Sequence, residues 1–391
     1  MRDPALRRVL ATLCVTVTVA YGVLYYAFTV LAPVIVADTG WSATAVTAAF
    51  SAGSLLGALA GIAAGRVLQR RGPRVVMTGG SLLGAAGVAL VAVAPTLPVF
   101  VVGWLLVGSA SAGVFYAPAF AVLTQWYGAR RVRAITTLTL VAGFASTVFA
   151  PLTAFLGEQL GWRGAYLVLA VVVLLTAPAH LASLRLPWGP GQASERGERP
   201  DRGILTSRAF VTLTVSGALT SLASYASLVH LVPLLLDRGL SVQLAAWVLG
   251  LSGAGQVAGR LLYPALDRRL SPDPRAALVI AVLATALLAL AAVPGPALVL
   301  VAIAVVGGAA RGLFTLVGAT VVSDHWGLER YAALNGVYHA PMGIAAALAP
   351  AFGAAVAAWT GSYVGLFVVL GGIGLAGAVL AGTVSATGAR R

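Results

Sequence analysis

The chain of 391 residues contains no lysine, a single cysteine and four histidines, and only 9% of its residues are charged. Each scarcity excludes something. With Cys14 alone no internal disulfide can form, and the thiol reads as a small buried apolar side chain. Without lysine there is no Gly-Lys-Ser/Thr phosphate loop, and there is no HExxH pair to hold a catalytic metal. Lone serines lack a histidine and aspartate arrangement that could activate them, so an enzyme is not expected, and neither a cofactor nor a metal. A soluble domain carries roughly a quarter of its residues charged, far more than this chain does. Alternating apolar and polar strand patterns are also missing, which argues against a barrel.

What is present is apolar sequence: 60% of residues are hydrophobic and mean hydropathy is +0.96. The apolar runs recur at about 20 residues or more, the length that crosses a hydrocarbon layer ~30 Å thick as a helix. They predict about twelve spans, at 9–37, 42–68, 75–94, 98–124, 133–157, 163–184, 209–236, 242–266, 275–293, 296–322, 331–358 and 361–383. The first run is far longer than a secretory signal core of roughly 7–15 residues, so it is expected to stay as a span.

The net charge of +14 comes from 25 arginines against 11 acids. The arginines lie scattered at span ends, which excludes a nucleic-acid surface. Arg7, Arg8, Arg70, Arg71, Arg74, Arg130, Arg131, Arg133, the run from Arg185 to Arg208, Arg268, Arg269, Arg275, Arg330, Arg390 and Arg391 fall on one side of the ladder of spans. The other side has Arg163 and Arg238. The positive-inside rule then puts both termini and the central loop in the cytoplasm of a multi-pass protein of the bacterial inner membrane. That loop, "RLPWGPGQASERGERPDRGILTSR" at 185–208, is rich in proline, glycine and mixed charge and reads as a linker between halves at 1–184 and 209–391. It and the short tails are expected to leave no room for the signalling domain a membrane sensor would need.

The halves repeat. "DTGWSATAVTAAFSAGSLLGALAGIAAGRVLQRR" from Asp38 aligns with "DRGLSVQLAAWVLGLSGAGQVAGRLLYPALDRR" from Asp237, with one gap. Farther on, "QWYGARR" from Gln125 aligns with "HWGLER" from His325, and Pro151 with Pro350. A six-plus-six duplication joined by a polar linker is a layout of secondary transporters, whose substrate site lies near the midplane of the membrane.

These residues resemble the major facilitator superfamily. The loop "GRVLQRRGPR" from Gly65 to Arg74, with Arg70 and Arg71, is similar to that superfamily's Gly-x-x-x-Asp-Arg-x-Gly-Arg loop, with Gln69 in place of the aspartate. The second half keeps the acid, as Asp267-Arg268. Within the superfamily, "YGVLYYAF" followed by "GWS", "QWYGARR", "GWR" at 161–163 and "HLVPLLLDRGLS" at 230–241 resemble the branch of monocarboxylate transporters and oxalate:formate antiporters. The resemblance covers nearly the whole chain and implies an all-helical membrane protein of two pseudo-symmetric six-helix halves. In that branch an arginine of the eighth span binds the substrate carboxylate. Arg260 matches it, with Gln256 where animal carriers have aspartate. Relatives also carry a lysine in the first or eleventh span, where this chain has Val30 and Met342.

An arginine in hydrocarbon costs about 2.5–3.5 kcal/mol on insertion scales, so Arg260 and Arg311 are functional candidates. Arg260 lies seven residues before Asp267, about 10 Å deeper on nearly the same face. It either binds substrate or snorkels toward the surface. Its first-half counterpart is Ile62, so the fold does not require a base there. Arg311, whose counterpart is Ser111, either lines the cavity or pairs across helices. Guanidinium matches a carboxylate bidentately, which suits an organic anion. Tyr25 and Tyr26 are about 100° apart on one helix, so one of them at most faces a pore squarely.

His230 and His339 are candidates for carrying a coupled proton, or else packing groups; Tyr338 has the same two readings. Asp38 and Asp237 are expected as caps or loop anchors. Gly53, Gly57, Gly61 and Gly65 recur every four residues and predict one smooth packing face. The expectation is a monomeric secondary transporter moving a small carboxylate by alternating access, with protons as the candidate coupling ion; a drug or secondary-metabolite exporter of the same superfamily is the alternative.

Overall fold

The computed structural model describes residues 4–189 and 202–388, so Arg390, Arg391 and linker residues 190–201 lie outside it. The described residues form helices and no strands, as they must where no water is available to satisfy the backbone. In chain order the helices are α1 (Pro4–Tyr21), α2 (Ala27–Thr39), α3 (Ala43–Arg71), α4 (Pro73–Val93), α5 (Leu97–Val114), α6 (Tyr116–Tyr127), α7 (Arg131–Ala142), α8 (Ala145–Leu174), α9 (Thr176–Ser183), α10 (Arg202–Leu205), α11 (Arg208–Asp237), α12 (Val242–Asp267), α13 (Pro272–Ala292), α14 (Ala297–Thr360) and α15 (Tyr363–Gly388). Among the described residues, ten helical stretches are long and apolar enough to cross a membrane. One of them, Arg131–Ser183, reverses at Gly161 (φ 68°) and supplies two spans. The 26-residue α12, which carries Gln243, Gln256 and Arg260, makes the twelfth. α14 is likewise two helices meeting at Gly327 (φ 79°), where any side chain would be strained.

Three expected spans are interrupted. The first passes through a π-helical turn at Gly22–Tyr26; the fourth breaks at Phe115 (φ −82°, ψ −163°) between α5 and α6; the fifth breaks at Gly143 and Phe144 between α7 and α8. Hydropathy cannot register such breaks, because the residues on either side are as apolar as the rest.

The chain forms two compact units, Met1–Ala193 with Val242–Gly250, and Ser194–Ser241 with Leu251–Arg391. In the first, α5 packs against α3 and α4. An aromatic group joins α2, α3 and α5: Phe28 stacks on Phe50 at 4.2 Å, and Trp104 meets both rings edge-on at 5.0 Å. In the second, α13 packs on α15 and α11 on both α14 and α15.

Glycines set the closest approaches. Added Cβ atoms at Gly53 and Gly57 would run into the Trp104 and Gly108 carbonyls of α5, whereas at Gly61 and Gly65 they would meet nothing within 4 Å. The four-residue glycine period is therefore a packing face over its first half only; beyond Gly57, α3 diverges from α5. In the second unit Gly255 and Gly259 of α12 abut Val305 and Ala309 of α14, while Gly308 and Gly312 abut Ser252 and Gln256. This reciprocal contact brings the two backbones together beside Arg260 and Arg311.

Gly57→Ala should destabilise the detergent-solubilised protein by about 1–3 kcal/mol through overpacking. Gly61→Ala should leave its melting temperature unchanged or raised, because only helix propensity changes there.

Candidate functional site

Arg260 and Arg311 leave α12 and α14 next to the glycine contact just described, and each is half-buried, with its Nε shielded from solvent. Both guanidiniums act electrostatically on the hydroxyl of Tyr225, on α11. α11 is the most enclosed of the apolar helices, yet Tyr225, midway along it, exposes 38% of its surface. Arg311 also lines a narrow cleft of about 10 Å³ with Ser227, Ser252, Leu231 and Phe367. Gln256 lies one turn before Arg260 and is half-buried.

Tyr225 was not singled out by residue type, but the duplication contains the signal. With Leu31 set against Leu231 and Pro33 against Pro233, Tyr25 falls on Tyr225. In the first unit Tyr25 lines a narrow cleft of about 20 Å³ with Ser54, Trp104, Ser111 and Phe115. The counterpart of Arg311, Ser111, is thus also a cleft residue, its hydroxyl spent on the Gly108 carbonyl at 2.6 Å. Tyr25 and Tyr26 sit on the π-helical turn with their rings edge-on at 5.4 Å; the cleft takes Tyr25.

The remaining candidates sit elsewhere. His230 is buried, its Nε2 2.9 Å from the Pro350 carbonyl of α14 and its ring 5.8 Å from that of Tyr363. That is the environment of a packing strut. Tyr338 is buried in a cluster with Phe210, Leu213, Val322 and Met342. His339 is half-buried, and its Nδ1 contacts the Asn335 carbonyl of its own helix at 3.0 Å. Asp38 accepts from Trp162 Nε1 and Arg163 Nη1, both at 2.8 Å, and so anchors α2 to α8; Ser42 caps α3.

At the arginine-rich helix ends the two units part. Gly65 has open space around it, and Arg70, Arg71, Arg74 and Arg268 are exposed. Asp267, by contrast, accepts from Arg275, which is 3% exposed and also donates to Asp324 at 2.6 Å. The Arg275 guanidinium lies 5.3 Å from the centre of the Tyr263 ring. Next to it, His325 Nε2 meets Asp273 at 2.7 Å. Sequence reasoning found Asp267 through its loop but missed Arg275 and Asp324, which sit 8 and 57 residues beyond it.

Comparison with known proteins follows this geometry. Residues 13–301 match the Major Facilitator Superfamily. The chain is 31% identical over 243 residues to human monocarboxylate transporter 11, covering 61% of this chain and 50% of that protein. It is 27% identical over 367 residues to rat monocarboxylate transporter 13, covering 92% and 82%. The chain thus spans about half the length of the first of these relatives. Among solved structures, the nucleoside transporter NupG superposes with a TM-score of 0.75 at 14% identity, over 100% of both chains, a likeness of fold.

Asp324→Asn should lower stability by about 1.5–3 kcal/mol, because it removes one charged hydrogen-bond partner from a buried guanidinium. Arg275→Met in the same background should recover part of the loss, since no buried charge is then left short of a partner. Thermal unfolding of both variants in detergent tests the pair.

Proposed function

The chain belongs to the major facilitator superfamily, and we propose that it is a secondary transporter of a small organic anion, a monocarboxylate, working by alternating access. The observation that carries this reading is the placement of two arginines, Arg260 and Arg311, at membrane depth beside the close glycine contact of α12 and α14, with Tyr225 within electrostatic reach of both. Aspartates and glutamates lie at helix ends and turns in the sequence, away from the middle of the spans that carry the two arginines. Similarity to two monocarboxylate transporters supports the same substrate class.

In this reading Arg260 pairs bidentately with the carboxylate, Gln256 orients it from one turn away, and the Tyr225 hydroxyl donates to an oxygen. Arg311 adds field from α14. Two like charges on adjoining helices repel when no anion lies between them, and a bound anion removes that repulsion. Substrate binding therefore favours the occluded state by the difference in affinity between the two states. With no carboxylate in the spans, a coupled proton would ride on the substrate or on His339, since His230 is committed to Pro350. The arginine distribution supports a cytoplasmic location for both termini in a bacterial inner membrane, and the protein is taken to act as a monomer.

Arg260→Ala should all but abolish carboxylate uptake into proteoliposomes, with a loss of about 30-fold or more from the roughly 2–5 kcal/mol carried by a buried charged contact. Arg260→Lys should recover only part, and Tyr225→Phe should raise KM about 5- to 10-fold by removing one hydrogen bond of ~1–1.5 kcal/mol. Uptake by Arg260→Ala at the wild-type rate, or wild-type transport of lipophilic drugs in place of carboxylates, would overturn the assignment in favour of an exporter.

A further inference from the structure

The two units treat the same arginine differently. Aligning "LQRRGPR" with "LDRRLSPDPR" sets Arg74 against Arg275, Gln69 against Asp267 and, through the "QWYG" and "HWG" match, Thr124 against Asp324. In the second unit the guanidinium turns inward onto two carboxylates and is 3% exposed. In the first unit both carboxylates are gone and Arg74 stays out.

Beside it is an open cavity of about 400 Å³ lined by Arg71, Gly72, Pro73, Arg74, Leu184, Arg185, Leu186 and Trp188. It holds three guanidiniums and no carboxylate, and none of the three has an ion-pair partner among the described residues. Its far wall is built rather than incidental. Gln125 Nε2 donates to the Gly189 carbonyl at 3.1 Å, Trp126 Nε1 donates to the Pro187 carbonyl at 3.0 Å, and the Trp126 and Trp188 rings meet edge-on at 6.0 Å. Trp188 in turn packs on Gly72, where an added Cβ would come within 3.3 Å of it. The Trp188 Nε1–H is sealed from solvent without an acceptor. Val67, one turn before Arg71, and Val75, next to Arg74, are apolar and 41% and 48% exposed.

We infer that this cavity binds the headgroup of an anionic phospholipid, whose phosphate takes in the first unit the place that Asp267 and Asp324 take in the second. The phosphodiester oxygens match guanidinium forks. Tryptophan and arginine at the interface suit the headgroup depth, and Val67 and Val75 give the acyl chain a path back into the hydrocarbon. That apolar path selects a lipid over a free anion. The inference does not depend on what the protein transports.

Native mass spectrometry of the delipidated protein with phosphatidylglycerol and with phosphatidylcholine tests it. The wild type should retain one phosphatidylglycerol in preference to phosphatidylcholine, and Arg71→Gln/Arg74→Gln/Arg185→Gln should weaken that binding on the order of 100-fold, a few-fold for each guanidinium. The equally basic set Arg130→Gln/Arg131→Gln/Arg133→Gln, which does not line the cavity, should bind as the wild type does. Equal losses in the two triple variants would reduce the effect to general attraction and overturn the site. Displacement of the lipid by equimolar inorganic phosphate would overturn the lipid assignment. Should the first variant fail to fold, the wild type's melting temperature decides: phosphatidylglycerol should raise it where phosphatidylcholine and inorganic phosphate do not, and equal effects of the three would contradict the inference.

Discussion

A guanidinium keeps its charge under any condition a protein meets, so one held at hydrocarbon depth must face another anion, an oriented dipole or water. Here two are held there, on helices whose backbones touch through Gly255, Gly259, Gly308 and Gly312. That contact leaves little freedom in where Arg260 and Arg311 can go. The glycines that let α12 and α14 approach and the arginines they present are thus parts of one arrangement, and Tyr225 stands where both fields meet.

The duplication gives each feature an internal control. Tyr25 and Tyr225 match in the alignment, as do Ser111 and Arg311; Ser111 and Arg311 each line a cleft of their own unit, and the positive charge at that position belongs to the second unit. At the arginine-rich helix ends the asymmetry runs the other way. Arg275 is neutralised within the chain by Asp267 and Asp324, while Arg74, facing Gln69 and Thr124 in sequence, lies open beside Arg71 and Arg185. One scaffold therefore carries a pair of arginines at membrane depth in one unit and a basic cavity at the helix ends in the other.

Hydropathy alone placed the spans, because a run of some 20 apolar residues has few alternatives to a membrane helix. It could not place the breaks at Gly22–Tyr26, Phe115 and Phe144, where nothing in composition changes. Arg260 and Arg311 stood out because charge is rare in such sequence. Tyr225 did not, because an aromatic residue in a membrane helix is ordinary; only its alignment with Tyr25 marks it. Periodicity marked Gly61 and Gly65 as contact residues like Gly53 and Gly57, but a period cannot say where two helices diverge, and they diverge past Gly57. His230 and Tyr338 drew attention as polar groups in apolar helices. The structure packs them, one on the Pro350 carbonyl and the other within a hydrophobic cluster.

The central claim is that a fixed positive field in the second unit selects an anion. Isothermal titration of the purified protein with small monocarboxylates and with their neutral amides, which match them closely in shape, tests it most directly. The account predicts saturable binding of at least one carboxylate and none of its amide. Equal binding of the amide and the carboxylate would contradict it.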